Sequence, residues 1–176
     1  MTSARSRSAA LAAALSMALV GACGSDERSI AGTLVINELM ASNTAACVDP
    51  FGEFDDWVEL YNQGDVEIDL SGFTVTDDPA VSTKATLPAG LLIPARGYRL
   101  LWCDGQVQGL DHLAFKLNAA SESFAIFTPE GELIDKADFS ATVTDTTIAR
   151  FPDGTGDFTT CARSTCGASN GASCAP

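Results

Sequence analysis

The chain has 176 residues, with 23 Asp and Glu against 10 Lys and Arg, a formal charge of −13, and a single histidine. That acidity argues against a module that grips nucleic acid, which needs basic contacts to phosphate, and it opposes electrostatic adhesion to anionic lipid. One histidine and no CxxC pair leave little from which to build a zinc ribbon or a His-based catalytic dyad.

At the N-terminus Arg5 and Arg7 form a short basic region, residues 9–20 an Ala-rich apolar run, and Gly21 and Ala22 a small-residue step before Cys23. This is the three-part layout of a cleaved export signal. The apolar run is shorter than the ~20 residues that a membrane-spanning helix needs. Val20-Gly21-Ala22-Cys23 resembles the lipobox of bacterial lipoproteins, in which the cysteine thiol is acylated and cleavage leaves that cysteine as the first residue. The resemblance implies several acyl chains on Cys23, and two or more hold a protein stably on a bilayer. Gly24 and Ser25, in place of an aspartate, imply by family habit the outer membrane of a two-membrane envelope, facing the periplasm or the surface. Residues 23–32 read as a tether. Loss of residues 1–22 removes two arginines and no acids, which moves the charge to −15. The remainder suffices for one domain with a proper core. Its charge reads as a self-repelling, soluble surface, with divalent-cation binding as the alternative.

The first strand is expected over residues 33–41. A polar loop with Cys47, Asp49, Glu53, Asp55 and Asp56 follows. Residues 54–78 are the centre of the pattern. Val66, Ile68 and Leu70 alternate with Glu67 and Asp69, the period of a half-wet strand, and Asn62-Gln63-Gly64-Asp65 is turn chemistry. Together they predict a two-strand ribbon formed by 57–62 and 66–70. Phe73 and Val75 alternate with Thr74 and Thr76. Further strands are expected at 85–87, 98–102, 112–117, 123–128, 133–139 and 146–151. Pro129-Glu130-Gly131-Glu132 marks a hairpin turn between two of them. Strands every 8–15 residues, with no helical period after the signal, predict an all-β, immunoglobulin-like antiparallel β-sandwich over residues 33–160, followed by a Cys-containing tail over 161–176.

Five motifs appear in order: residues 34–40 (LVINELM), 56–62 (DWVELYN), 69–73 (DLSGF) with Thr76-Asp77-Asp78, 93–98 (IPARGY) and 150–154 (RFPDG). In this set the chain resembles the lamin tail domain family in its bacterial form. The resemblance implies an immunoglobulin-like sandwich of envelope or secreted proteins, often attached to hydrolase domains. In nuclear lamins the fold binds proteins and chromatin. The chain departs from the pattern at Arg96, where glycine is common, at Ser121, Thr147 and Ala149, and at Cys166, where the tail often has proline.

Calcium takes six to eight oxygens on a bent loop. Asp49, Asp55 and Asp56, with Glu53 and with Asp77, Asp78 or Asp104 from neighbouring loops, are the candidate ligands, although acids beside Gly and Pro are commonly turn formers. Glu38 and Glu59 sit mid-strand, where carboxylates are uncommon. A general acid and base is one reading; a structural pairing with Arg150 or backbone N–H groups is favoured, since no pocket-forming motif accompanies them. His112 is expected at a loop or strand edge. Trp57, Tyr61, Tyr98 and Trp102 are either core or a sugar-stacking platform. An oxidising compartment suits the cysteines. The expected bridges are Cys47–Cys103 and Cys161–Cys174, leaving Cys166 free, with Cys161–Cys166 as the rival. The resulting expectation is a lipid-anchored, non-enzymatic envelope binding, adhesion or structural module. It meets the membrane through Cys23 and has envelope proteins or glycans as partners and no obligate cofactor. A carbohydrate- or calcium-binding accessory to a separately encoded hydrolase is the alternative.

Overall fold

A computed structural model describes residues 32–171 together with Met1, Ile30 and Cys174. The signal, the lipobox with Cys23 and most of the tether lie outside the described residues. Twelve strands follow: β1 (Leu34–Met40), β2 (Asp56–Asn62), β3 (Ile68–Asp69), β4 (Thr74–Thr76), β5 (Ala85–Thr86), β6 (Leu92–Ile93), β7 (Tyr98–Cys103), β8 (His112–Leu113), β9 (Ser121–Phe127), β10 (Leu133–Ser140), β11 (Thr147–Phe151) and β12 (Asp157–Cys161). There is no α-helix among the described residues. A six-stranded sheet has the order β12-β11-β1-β2-β7-β8, a four-stranded sheet β10-β9-β4-β5, and β3 pairs with β6. All pairings are antiparallel except β7 with β8. One cluster of buried apolar side chains draws Ile36, Val58, Leu60 and Leu101 from the large sheet and Val75, Phe124, Ile126 and Ala137 from the small one. The alternation therefore gives the immunoglobulin-like sandwich it predicts. Each large side chain fully buried there contributes roughly 1.5–3 kcal/mol.

Period two explains most of this placement. On β2, Val58 and Leu60 enter the core, so Trp57, Glu59 and Tyr61 face the opposite side of the sheet. On β1 the register shifts between Ile36 and Glu38, so that Asn37 is the extra residue of a bulge. The shift keeps both Ile36 and Leu39 inward and turns Glu38 outward, opposite Glu59. The β9–β10 hairpin closes on Thr128–Glu132, with Gly131 at φ 88°.

The expected ribbon of 57–62 with 66–70 does not form. β2 pairs with β1 and β7, while β3 pairs with β6. The turn is present, but it carries the chain out of the large sheet. Asn62 fixes that exit, because its Nδ2 donates to the carbonyls of Val66 (2.8 Å) and Pro94 (3.0 Å) and its Oδ1 accepts from Gly64 N (2.9 Å). Residues 112–117 yield only the two-residue β8, followed by an isolated Asp104–Lys116 bridge. The sequence pattern missed β6 and β12. Arg96, the family departure, holds φ 56°, the left-handed region that favours glycine, and its Nε donates to Asp65 at 3.0 Å.

The outward face of the large sheet is covered at its centre, around Trp57 and Glu59. Cys161 is bonded to Cys174 and Cys47 to Cys166, which lays residues 162–171 across that face. The expected Cys47–Cys103 bridge is absent. Strand parity forbids it: Cys103 is two residues from Leu101 and points into the main core, whereas Cys47 packs with Met40, Trp57 and Trp102 on the other side. Cys103 is a buried free thiol, raised well above its usual pKa by burial, and Cys166 is not free.

Candidate functional site

The two mid-strand carboxylates lie under the C-terminal strap. Glu38 and Glu59 are fully buried. Thr165 donates its N–H (3.2 Å) and hydroxyl (2.6 Å) to Glu38, while Gly167 N (2.6 Å) and Asn37 Nδ2 (3.0 Å) donate to Glu59. Arg150, named as a partner for them, is engaged elsewhere: it donates to both oxygens of Asp135 (3.0 and 3.1 Å) and to the carbonyls of Ile36 and Gly156. Backbone, hydroxyl and side-chain amide donors, not a guanidinium, hold the pair. Asp153, from the RFPDG turn, extends the layer by accepting from Asn37 Nδ2 (3.2 Å), Asn170 N (2.9 Å) and the Tyr98 hydroxyl (3.0 Å). Asn170 Nδ2 in turn donates to the carbonyls of Asn37 and Arg150. Four of the recognised motifs therefore meet in one buried polar layer. Thr165, Gly167 and Asn170, which complete it, come from a stretch without periodicity.

Burial pushes Glu59 up to about 8, against the lowering effect of the bonds from Asn37 and Gly167. Burial likewise raises Glu38 and outweighs its bonds to Thr165. A carboxyl near 8 has the acidity of a general acid. Here, however, both oxygens are occupied by main-chain and amide donors beneath a strap that is stapled at two points.

The acidic loop is a second concentration of charge. Asp49 Oδ1 accepts the N–H groups of Phe51 (2.9 Å) and Glu53 (2.7 Å), a side-chain-closed turn with Gly52 at φ 89°. Asp49, Glu53 and Asp55 each place one carboxylate oxygen within 4.8 Å of the other two. Asp56, expected among the ligands, lies outside this trio, at the start of β2. Asp77 is paired with Lys84, Asp78 accepts from Ala80 N, and Asp104 faces His112. Burial, then the charges of Asp104, Glu53 and Asp49, raise the Asp55 carboxyl.

His112 does sit in an edge strand, but its side chain is fully buried. Its Nδ1 lies 2.6 Å from Asp104 Oδ2. Phe51 approaches the ring edge-on with centroids 5.3 Å apart, and Trp102 lies along it at 6.4 Å. Of the four aromatics in the proposed sugar platform, Trp57 and Trp102 are core residues. Tyr61 and Tyr98 stay half-buried and stack across β2 and β7, with centroids 4.7 Å apart. Beside Tyr98 a cleft of about 430 Å³ opens between Val48, Pro50, Trp102, Asp111 and Gly167.

The family model described as Lamin Tail Domain matches residues 27–141. The chain belongs to the lamin tail domain family. The match spans β1 to β10, so the RFPDG turn, β11, β12 and the strap follow it in the chain. The lamin tail domain is a family of non-catalytic, immunoglobulin-like structural domains, and the chain is a β-sandwich structural or binding module. No curated protein matches the chain.

Proposed function

We propose that this lamin tail domain is a lipid-anchored, non-enzymatic binding module of the bacterial cell envelope. Cys23 is its acylated anchor, residues 1–22 are the removed signal, and the tether holds the sandwich away from the bilayer. One observation carries the non-enzymatic part. The carboxylate pair with acid–base potential is sealed beneath the strap, its oxygens occupied by Thr165, Gly167 and Asn37. The cleft beside the Tyr61–Tyr98 stack is open, and there exposed Val48 and half-buried aromatic surface adjoin Asp111. Partially apolar clefts with a few polar groups are the usual place for a ligand.

The half-buried aromatic stack favours a second reading, a carbohydrate-binding accessory to a separately encoded envelope hydrolase, since sugar rings pack on such faces. A photo-crosslinker at Val48, in cells, is expected to trap an envelope protein or glycan through the cleft. Crosslinks that persist unchanged when Tyr61→Ala is introduced would contradict the placement. A glycan panel separates the two readings, because glycan binding that falls at least about tenfold in Tyr61→Ala supports the second. Hydrolysis of an envelope polymer by the parent, lost in Glu59→Gln, would overturn both.

A further inference from the structure

We propose that the lamin tail domain binds a divalent transition-metal cation of the zinc class between His112 Nε2 and Asp49 Oδ2, with Asp111 at its outer edge. Within the protein, and among the described residues, Nε2 and Oδ2 are both buried without a hydrogen-bond partner. They face each other at 3.8 Å, too far for a hydrogen bond, and Asp111 Oδ1 lies 3.9 Å from the same nitrogen. The His112 and Asp49 side chains are wholly buried, whereas that of Asp111 is 25% exposed. Two groups that each lose water and gain nothing are an energetic liability, and a shared cation removes it for both. Ligands about 2.0–2.1 Å from a tetrahedral zinc stand about 3.3 Å apart. The two atoms need to close by about half an ångström.

The surroundings fit a ligand histidine. A carboxylate on the far nitrogen fixes the tautomer and aims the near one, which is what Asp104 does at 2.6 Å. Phe51 and Trp102 hold the ring in place. A mixed imidazole and carboxylate set selects zinc-class cations over calcium, which takes oxygen alone. Asp111 lines the adjoining cleft, which supplies the route in, and water fills the positions that His112 and Asp49 leave open. Glu53 and Asp55 lie beside Asp49 and add negative charge that favours any cation there. Calcium in the Asp49, Glu53, Asp55 trio is the competing occupant.

The test uses the mature, disulfide-intact chain, titrated with zinc chloride by calorimetry and loaded with cobalt(II) for visible spectroscopy. One equivalent of zinc should bind, cobalt should show the intense bands of a tetrahedral site, and the nitrogens of the only histidine should shift in a ¹⁵N spectrum. Asp49→Asn keeps an oxygen for the Phe51 and Glu53 N–H groups, so the turn survives; zinc binding should weaken at least about 100-fold. Glu53→Gln and Asp55→Asn should change it by less than about fivefold. His112→Gln should abolish the cobalt bands. Where that variant unfolds, Asp111→Asn, nearer the surface, should weaken zinc about tenfold. No zinc binding by the parent, an unshifted histidine spectrum, or zinc that calcium displaces and that Asp55→Asn removes as fully as Asp49→Asn would each overturn the proposal.

Discussion

Replacing Cys47 and Cys166 with alanine should lower the free energy of unfolding by about 4–5 kcal/mol, measured by denaturant titration without reductant. The magnitude comes from loop closure: the two cysteines are 119 residues apart, so the bond constrains most of the unfolded domain. Cys161–Cys174 spans only 13 residues, and its loss should cost nearer 3 kcal/mol. The longer bond has a second effect in the folded state. Cys166 packs against the cluster of Met40, Cys47, Trp57 and Trp102, and the next residue, Gly167, donates to Glu59. Release of the strap therefore wets two tryptophans and the carboxylate pair together. Amide exchange in β1 and β2 should accelerate in the double alanine variant. Exchange in the β9–β10 hairpin, which belongs to the other sheet, should rise only with global stability.

Stability should fall as pH rises from about 4.5 to about 8, and then level off. The unfolded chain releases the Glu59 proton near 4.5, whereas the folded chain holds it up to about 8. Between those values the native state binds more protons than the unfolded state, so the slope of unfolding free energy against pH is negative. The raised Glu38 adds a contribution of the same sign. The displacement of Glu59 corresponds to a few kcal/mol, roughly 5 at the upper limit. Thermal melts of Glu59→Gln across pH 5–9 should show a much flatter profile than the parent. That variant loses about 1–3 kcal/mol at pH 5, since one end of its amide meets a donor, either Asn37 Nδ2 or Gly167 N. An equally steep fall in Glu59→Gln would transfer the dependence to other groups.

The sequence was most legible where one physical rule decides the outcome. Alternation placed Ile68 and Leu70 in the core, though Val66, expected on the same face, is exposed, and the Pro129–Glu132 turn closed the expected hairpin. It was least legible where partner choice matters. Residues 62–65 specify a reversal but say nothing of which strand receives the next segment, and the Asn62 bonds to Val66 and Pro94 decide that. The strap at 162–171 has no periodicity because loop-to-sheet hydrogen bonds and two disulfides hold it, not an apolar stripe. For the cysteines a usable signal was present. Cys103 shares the parity of Leu101, which assigns it to the core and away from Cys47. The carboxylates were recognised as odd from their mid-strand position, and acids in a doubly covered strand are a sound pointer to a polar layer. The Asp104–His112–Asp49 line was not readable, since residues 8 and 63 positions from His112 meet only through the β7–β8 pairing and the bent acidic loop.

The most direct test of an anchored sandwich is the mass of the N-terminal peptide of the protein purified from its native membrane. The account predicts a peptide that begins at Cys23 and carries thioether-linked diacylglycerol and an amide-linked acyl chain. An uncleaved residues 1–22 segment, or an unmodified cysteine on a protein recovered wholly from the soluble fraction, would contradict it.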